Sequence, residues 1–497
     1  VSLTSALSIA SSGLNGVQYA LTVASQNVSN ANTSGYVRES ASLVAVEGQG
    51  VGSGVRAGLT LRASDPGLQK QVWAQSATVA GLQTTDNALG AIDSLLGTTS
   101  ADTGTASKGS GTLSDLLGSV QAAFVTLSSD PSGAAAQQGV LSAAKLFTTR
   151  VNGLSGAYQA QRQTAQDTIA DGVQAAASDL STIGTLSDRI VLLKAQGSDT
   201  ADLENQRDAA MSDLAQFVSV QFQQTPTGDM LVRTASGLSL PTRGTATLST
   251  PAGVTIDLQN AYPGTIAPIT LGGRDVTSLL TGGKIGAALT LRDTTLPTMQ
   301  AQLDSLSGAV ANRFDAAGLD LFSTASGTLP GASGSEPAPA GQLGFSAQIS
   351  VNPAVIADPS KLRDGTSGAA TTGTADDQTV IDAVLNTTFG TSGASATSSG
   401  LGVGGSLSTG YSGSGSLTAL ASSLGASQGS VISSASSQLT TEQAVQTKLD
   451  TSLSSAVGVN VDDEMASIVS LQNSYAANAK VISAVQSMFQ SLLAAVQ

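Results

Sequence analysis

Cysteine and histidine are both absent from the 497 residues of this chain, and the two absences remove whole classes of chemistry. No disulfide can form, so the redox compartment leaves no mark. Zinc sites of the Cys/His type, thiolate nucleophiles and every triad with a histidine base are excluded. An enzyme built here would need paired carboxylates or a Ser–Lys dyad. Aromatic residues make up 3% of the chain, with Trp73 the single tryptophan, so the core must be aliphatic. Charged residues are 11%, about half the usual share. The surface must then be Ser, Thr, Gln, Asn and Gly, which suits a protein covered by neighbours or one outside the cell. No apolar run approaches the ~18 residues of a membrane span. The first residues show no basic segment, apolar stretch and small-residue site in series, so a cleavable secretory signal is not expected. The 21 basic residues are scattered among 35 acidic ones, for a net charge of -14. That balance argues against nucleic acid and anionic membrane as partners. No cofactor or metal site is expected.

What is present is periodicity, and it is most regular at the two ends. Leu3, Leu7, Ala10, Leu14, Val17, Leu21, Ala24 and Val28 are spaced four, three, four, three without a break. Ile468, Leu471, Tyr475, Asn478, Ile482, Val485, Phe489, Leu492 and Val496 alternate three and four in the same way. Each is a seam committed to a partner helix, and pairing the first helix with the last hides both. Asn478 is the polar member of its row, a placement that fixes register. The outer faces of the first helix carry no charge, so protein contact on more than one side is expected. The first seam then stops in "NVSNANTSGYVRES", where Asn27, Asn30 and Asn32 crowd ahead of Gly35 and Tyr36. Gly35 suits the left-handed position at a helix C-terminus, and the asparagines can bond freed carbonyls or neighbouring subunits. Two sequons here, Asn27-Val28-Ser29 and Asn32-Thr33-Ser34, are read as chance matches. Before the last helix, Asn460 or Asp462 can cap, and Asp462, Asp463 and Glu464 complement a helix N-terminus.

Between the ends the pattern changes twice. Residues 41–65 alternate short apolar residues with glycine and read as a pair of strands or an extended ribbon. Its Gly-x-Gly-x-Gly lacks the context of a nucleotide turn. Helical periodicity then marks Val79 to Leu96, Leu113 to Leu127, Val140 to Leu154, Ile169 to Leu193 and Leu203 to Leu214 as separate helices of an antiparallel bundle. From about Val218 to Gly283, Pro and Gly punctuation and a Thr-Pro-Thr-Gly-Asp turn indicate an inserted β domain. Helix returns at Leu296 and again from about Leu417 to Val457. Two Gly/Ser stretches, from Ser323 and from Thr391 to Ser416, read as flexible loops. The expected fold is mainly α with an inserted β domain. The units are a terminal coiled-coil core (1–65 with 456–497), an elongated helical bundle (66–217 with 284–455) and the small β domain (218–283).

"SGLNGVQYALTVASQNVSNANTSGYVRE" and "LQNSYAANAKVISAVQSMFQSLL" together resemble the paired terminal signatures of the bacterial flagellar axial proteins, the family of rod, hook and hook-associated proteins. "DLENQRDAAMSDLAQFVSVQF" and "VGVNVDDE" resemble its hook-associated, junction-forming members. The resemblance implies a structural adaptor outside the cell, at the hook–filament junction, exported without a cleavable signal. It would self-associate in a helical ring, with hook protein below and the second junction protein above. An export chaperone would hold its C-terminal region beforehand. The terminal seam residues, the three asparagines, Gly35 and Tyr36 would form the assembly interface. Hook or distal-rod membership is the alternative within the family, and long central helices argue against it. A secreted carbohydrate-active enzyme would have to use Asp462/Glu464 or Asp202/Glu204, acids unaccompanied by aromatic subsites.

Overall fold

The computed structural model describes residues 3–33, 35–48, 51–97, 111–330, 342–366, 373–391 and 393–496. Helix α1 (Leu3–Asn30) opens the chain. Four strands follow: β1 (Glu39–Ser40), β2 (Leu43–Gly48), β3 (Val51–Ala57) and β4 (Leu61–Arg62). β2 and β3 form an antiparallel hairpin with a bulge after Val46, while β1 pairs with β4. The hairpin lies on α1: a Cβ at Gly16 would sit 3.2 Å from Leu43 and 3.4 Å from Val55. The second protein contact expected of α1 is therefore supplied by its own chain.

Helix α2 (Pro66–Leu96) starts where Asp65 accepts the Leu68 amide and Pro66 presets the first turn. α3 (Leu113–Ser129) opens on a reciprocal capping box between Thr112 and Asp115. α4 (Ala134–Ala195) is one helix of 62 residues, where the periodicity had suggested two. The apparent gap is filled by Ser155, Tyr158, Arg162 and Gln166, which are polar yet buried. They hold seam positions and satisfy one another's neighbours. Ser155 donates to Gln300 at 2.9 Å, Tyr158 to Gln428 at 2.6 Å, and Arg162 to the Arg292 carbonyl at 2.9 Å. A pattern counted on apolar residues alone breaks there, although the helix does not.

α5 (Ala201–Phe217) leads into the insert. One sheet has the order β5 (Val220–Gln224), β6 (Met230–Thr234), β7 (Ser239–Leu240). A second has β8 (Leu248–Ser249) and β10 (Arg274–Asp275) flanking β9 (Thr270–Leu271). α6 (Gly283–Thr290) returns to the bundle through Gly283, whose φ of 61° and lack of a side chain permit contact with the Phe217 backbone; a Cβ would come within 2.5 Å. α7 (Leu296–Ala316) is enclosed on nearly every side. Phe314 on it meets Phe124, Phe322 and Phe389 at centroid distances of 5.8, 5.1 and 5.8 Å.

Short elements wrap α7: β11 (Phe322–Ser323), α8 (Phe345–Gln348), β12 (Ser350–Val351), α9 (Pro353–Ala357), α10 (Lys361–Asp364), α11 (Thr379–Ala383), β13 (Ser399–Leu401) and β14 (Leu407–Ser408). Much of the first Gly/Ser stretch, residues 331–341, lies outside the described residues. The second departs from the loose loop that composition suggests. β13 pairs with β14, and buried side chains of α7 seize the backbone of the ribbon. Arg313 donates to the carbonyls of Ala394 (2.8 Å) and Gly415 (2.9 Å), and Gln302 to that of Thr409 (2.8 Å). Glycine there is a means of close approach rather than of looseness. α12 (Leu417–Val457) runs back along α2, and α13 (Val461–Val496) packs on α1.

Candidate assembly surface and the junction beneath it

The two terminal seams face each other. A Cβ at Gly13 would lie 3.2 Å from Asn478 Oδ1, so the polar seam residue packs against a glycine. At the other end Arg38 reaches Glu464 at 2.7 Å. These two contacts make the pair antiparallel. Equal rise along both helices then brings Leu3 level with the region of Met488. Nearer the C-terminal end of α13, Leu492 and Leu493 are 55% and 66% exposed. Ala10, Val17, Ala24 and Val485 are buried, whereas Leu3, Leu7, Leu14, Leu21, Val28, Ile468, Leu471, Asn478, Ile482 and Phe489 are half-buried and Tyr475 is exposed. One chain thus covers its seams in part. The first turn of α13 is capped by Asn460, whose Oδ1 accepts the Asp462 amide at 3.0 Å.

The three asparagines divide their work. Asn27 is buried, donates to the Glu39 carbonyl at 2.7 Å and accepts the Glu39 amide at 3.0 Å. It also accepts the Tyr36 hydroxyl at 3.0 Å. Its amide imitates a neighbouring strand and folds the chain back on α1 instead of closing the helix carbonyls. Asn30 donates to the Gln26 carbonyl at 3.1 Å, and Asn32 is exposed. Gly35 takes φ of 79°, and a Cβ added there would lie 3.7 Å from Ala209 on α5. Burial first, then the nearby carboxylates of Glu39, Asp202 and Glu464, push the Tyr36 hydroxyl up to about 12, so it remains a donor at neutral pH.

Beneath this core sits a junction that periodicity does not reveal. Arg62 on β4 donates to Asn205 (2.9 Å), Glu204 (3.2 Å) and Asp208 (2.6 Å) on α5. Asn205 in turn donates to Glu39 at 2.8 Å, and the Thr60 amide to Asp199 at 3.3 Å. Residues 204 and 208 are one turn apart and present their carboxylates to one guanidinium. Arg207, on another side of α5 and 2% exposed, donates to the Gly228 carbonyl at 2.7 Å and ties the β5–β6 turn. The segment "LENQRD" therefore joins terminal core, bundle and insert. Burial would raise Glu204, but the Lys194 ammonium and the Arg62 guanidinium hold it below its ordinary range. Glu39 is pushed up by burial and then by Asp202 and Asp199, against the pull of Arg62 and Asn205. Arg38, Glu39 and Arg62 make contacts that the apolar seams do not reveal. The available signal was their charge, in a segment with few charges.

Two of the four acids nominated for a hydrolase are engaged in ion pairs, while Asp202 and Asp462 are exposed. Glu204 pairs with Arg62 and Lys194, and Glu464 with Arg38. Among the described residues no group of three acidic side chains could hold a metal, and no helix is long and apolar enough to cross a membrane.

Comparison with known proteins falls on the same two regions. Residues 99–329 match the model of the flagellar hook-associated protein FlgK helical domain. Residues 453–495 match the flagellar basal body rod FlgEFG protein C-terminal model. Flagellar hook-associated protein 1 of Salmonella typhimurium (strain LT2) is 25% identical over 331 residues, covering 63% of this chain and 56% of the relative. Its counterpart in Escherichia coli (strain K12) is 25% identical over 323 residues, covering 63% and 57%. The matches thus span somewhat over half the length of these relatives. A solved structure, the flagellar hook junction protein FlgK from Burkholderia pseudomallei, aligns over 52% of this chain and 45% of its own, with 22% identity and a TM-score of 0.41. The bundle is thus similar to the helical domain of the flagellar hook-associated protein FlgK, and α13 to the C-terminal segment of flagellar basal body rod proteins.

Proposed function

We propose that this chain is a structural adaptor of the bacterial flagellum, which polymerises through its terminal helices on the hook tip and seats the next junction protein. The observation that carries the reading is the outward surface of the α1–α13 pair. Met465, Val469, Val481 and Met488 are 48%, 54%, 47% and 50% exposed. Lys480 is the single charge from Met465 to the last residue. Large apolar side chains exposed along so charge-poor a helix are a liability in water and contact points in an assembly. Neighbouring copies would complete the half-covered seams, Leu471, Ile482 and Phe489 above all. The interface would also include Asn30, Asn32, Gly35 and Tyr36, with Asn27 holding its frame. Heterologous contacts of this kind continue into a helical array. Hook protein would lie below and the second junction protein above, and an export chaperone would shield α13 before export. The terminal helices would become fully ordered on assembly, when many contacts form at once.

Leu471→Asp and Ile482→Asp test the surface. Each should leave the helical content and melting of the bundle unchanged while abolishing incorporation at the hook tip, read by labelled protein on purified hook–basal bodies. Incorporation of both variants at the wild-type level would overturn the proposal.

A further inference from the structure

Between the terminal core and the bundle lies a cavity of about 610 Å³. Its apolar wall is Trp73, Met211, Phe222 and Met230, with the Trp73 and Phe222 rings edge to face at 4.7 Å. One side is formed by β5, the outer strand of its sheet, beyond which no strand pairs among the described residues. An open strand edge above an apolar pocket is the arrangement that accepts an added strand: backbone groups supply the hydrogen bonds and alternate side chains enter the pocket. The same molecule carries a strand element in need of cover. The β2–β3 hairpin is two-stranded; β3 lies on α1, where the Val55 amide donates to the Ser12 hydroxyl, whereas among the described residues no strand pairs with the outer edge of β2, and Leu43, Val44 and Val46 on it are 44%, 44% and 39% exposed. One exposed pair of opposite charge is available to such a contact. Glu47 stands exposed near the hairpin tip, and Lys70 lies exposed on the cavity wall.

We infer that the β2–β3 hairpin of one copy docks on the β5 edge of the next, filling the cavity between its core and bundle. The inference rests on the proposed self-association and names one of its contacts. Hairpin and cleft are different surfaces, so the contact is heterologous and can repeat from copy to copy without closing. It would also lock the angle between core and bundle in assembled copies.

The cysteine-free sequence makes the test clean. Val46→Cys and Gln223→Cys are made in separate chains, mixed, allowed to assemble and oxidised. Non-reducing electrophoresis should show a disulfide-linked dimer at least tenfold above a mixture in which Thr182→Cys, exposed on α4, replaces Gln223→Cys. Polymer without that excess overturns the hairpin contact and leaves self-association standing. Failure of the unmodified chain to associate under any condition overturns both.

Discussion

Asp179 on α4 faces Asp213 on α5, and its Oδ2 is buried without a hydrogen-bond donor. Burial first and the second carboxylate next push it up to about 6. Because the folded chain holds this proton more tightly than the unfolded one, the group's stabilising contribution is complete below about pH 4 and disappears as pH rises through about 6. Asp179→Asn should therefore be close to neutral at pH 4 and stabilising at pH 7.5, by about 1–2 kcal/mol after allowance for solvent screening. Urea midpoints at the two pH values measure it; the same shift at both would refute the assignment. Asp304 also rises to about 6, from burial, but it accepts the amides of Gly344 and Ser346, the Ser346 hydroxyl and the Gln300 amide. An Asn there would turn a donor toward donors. Residues with similar acidity thus call for opposite expectations, and the deciding fact is what each oxygen touches.

At the scale of elements, the polar face of α7 explains how a Gly/Ser stretch becomes structure. Arg313 is 1% exposed and has carbonyls for partners, with burial pulling its guanidinium below the ordinary range. Arg313→Met would remove the cost of a buried cation but leave the carbonyls of Ala394 and Gly415 unsatisfied. The second effect should win, at about 2–4 kcal/mol. Trypsin is blind to a Ser/Gly segment, so elastase or subtilisin is the suitable probe. Cleavage within 391–416 should accelerate at least tenfold while circular dichroism at 222 nm is kept. Unchanged cleavage would mean that the ribbon is held by its own strands. α4 teaches a related lesson. Its continuity is carried through the middle by Ser155, Tyr158, Arg162 and Gln166, residues that an apolar count discards. The sequence shows them at helical spacing; only their partners on α7, α12 and the insert show that they point inward.

At the scale of the whole molecule, a charged junction ties the strands that follow α1 to α5. Arg62 is the hub between core and bundle, half-shielded from solvent, with two carboxylates and an amide as partners. Isolated exposed pairs contribute little, whereas one guanidinium shared by several acceptors is better placed. Limited proteolysis of the dilute protein should trim both ends and spare a fragment from about residue 66 to 455. Arg62→Ala should make that trimming several-fold faster without changing the limit fragment. Termini that resist digestion in the free protein, in wild type and variant alike, would count against ordering on assembly. The limit fragment also tests the division into core, bundle and insert proposed from the sequence.

Part of this was legible in the chain by itself. The terminal seams, the end of α1 near Asn30 and the limits of α12 follow from periodicity and from Asn, Gly and Pro chemistry, which act within one or two turns. The absence of cysteine and histidine likewise settled which chemistries are impossible. Tertiary structure alone decided the rest. The antiparallel register of α1 and α13, the inward turn of Asn27, the grip of Arg313 on the ribbon and the Arg62 junction all join residues far apart in sequence. A buried polar side chain must find a partner, but which partner depends on where the packed elements bring distant backbone, and no local pattern encodes that.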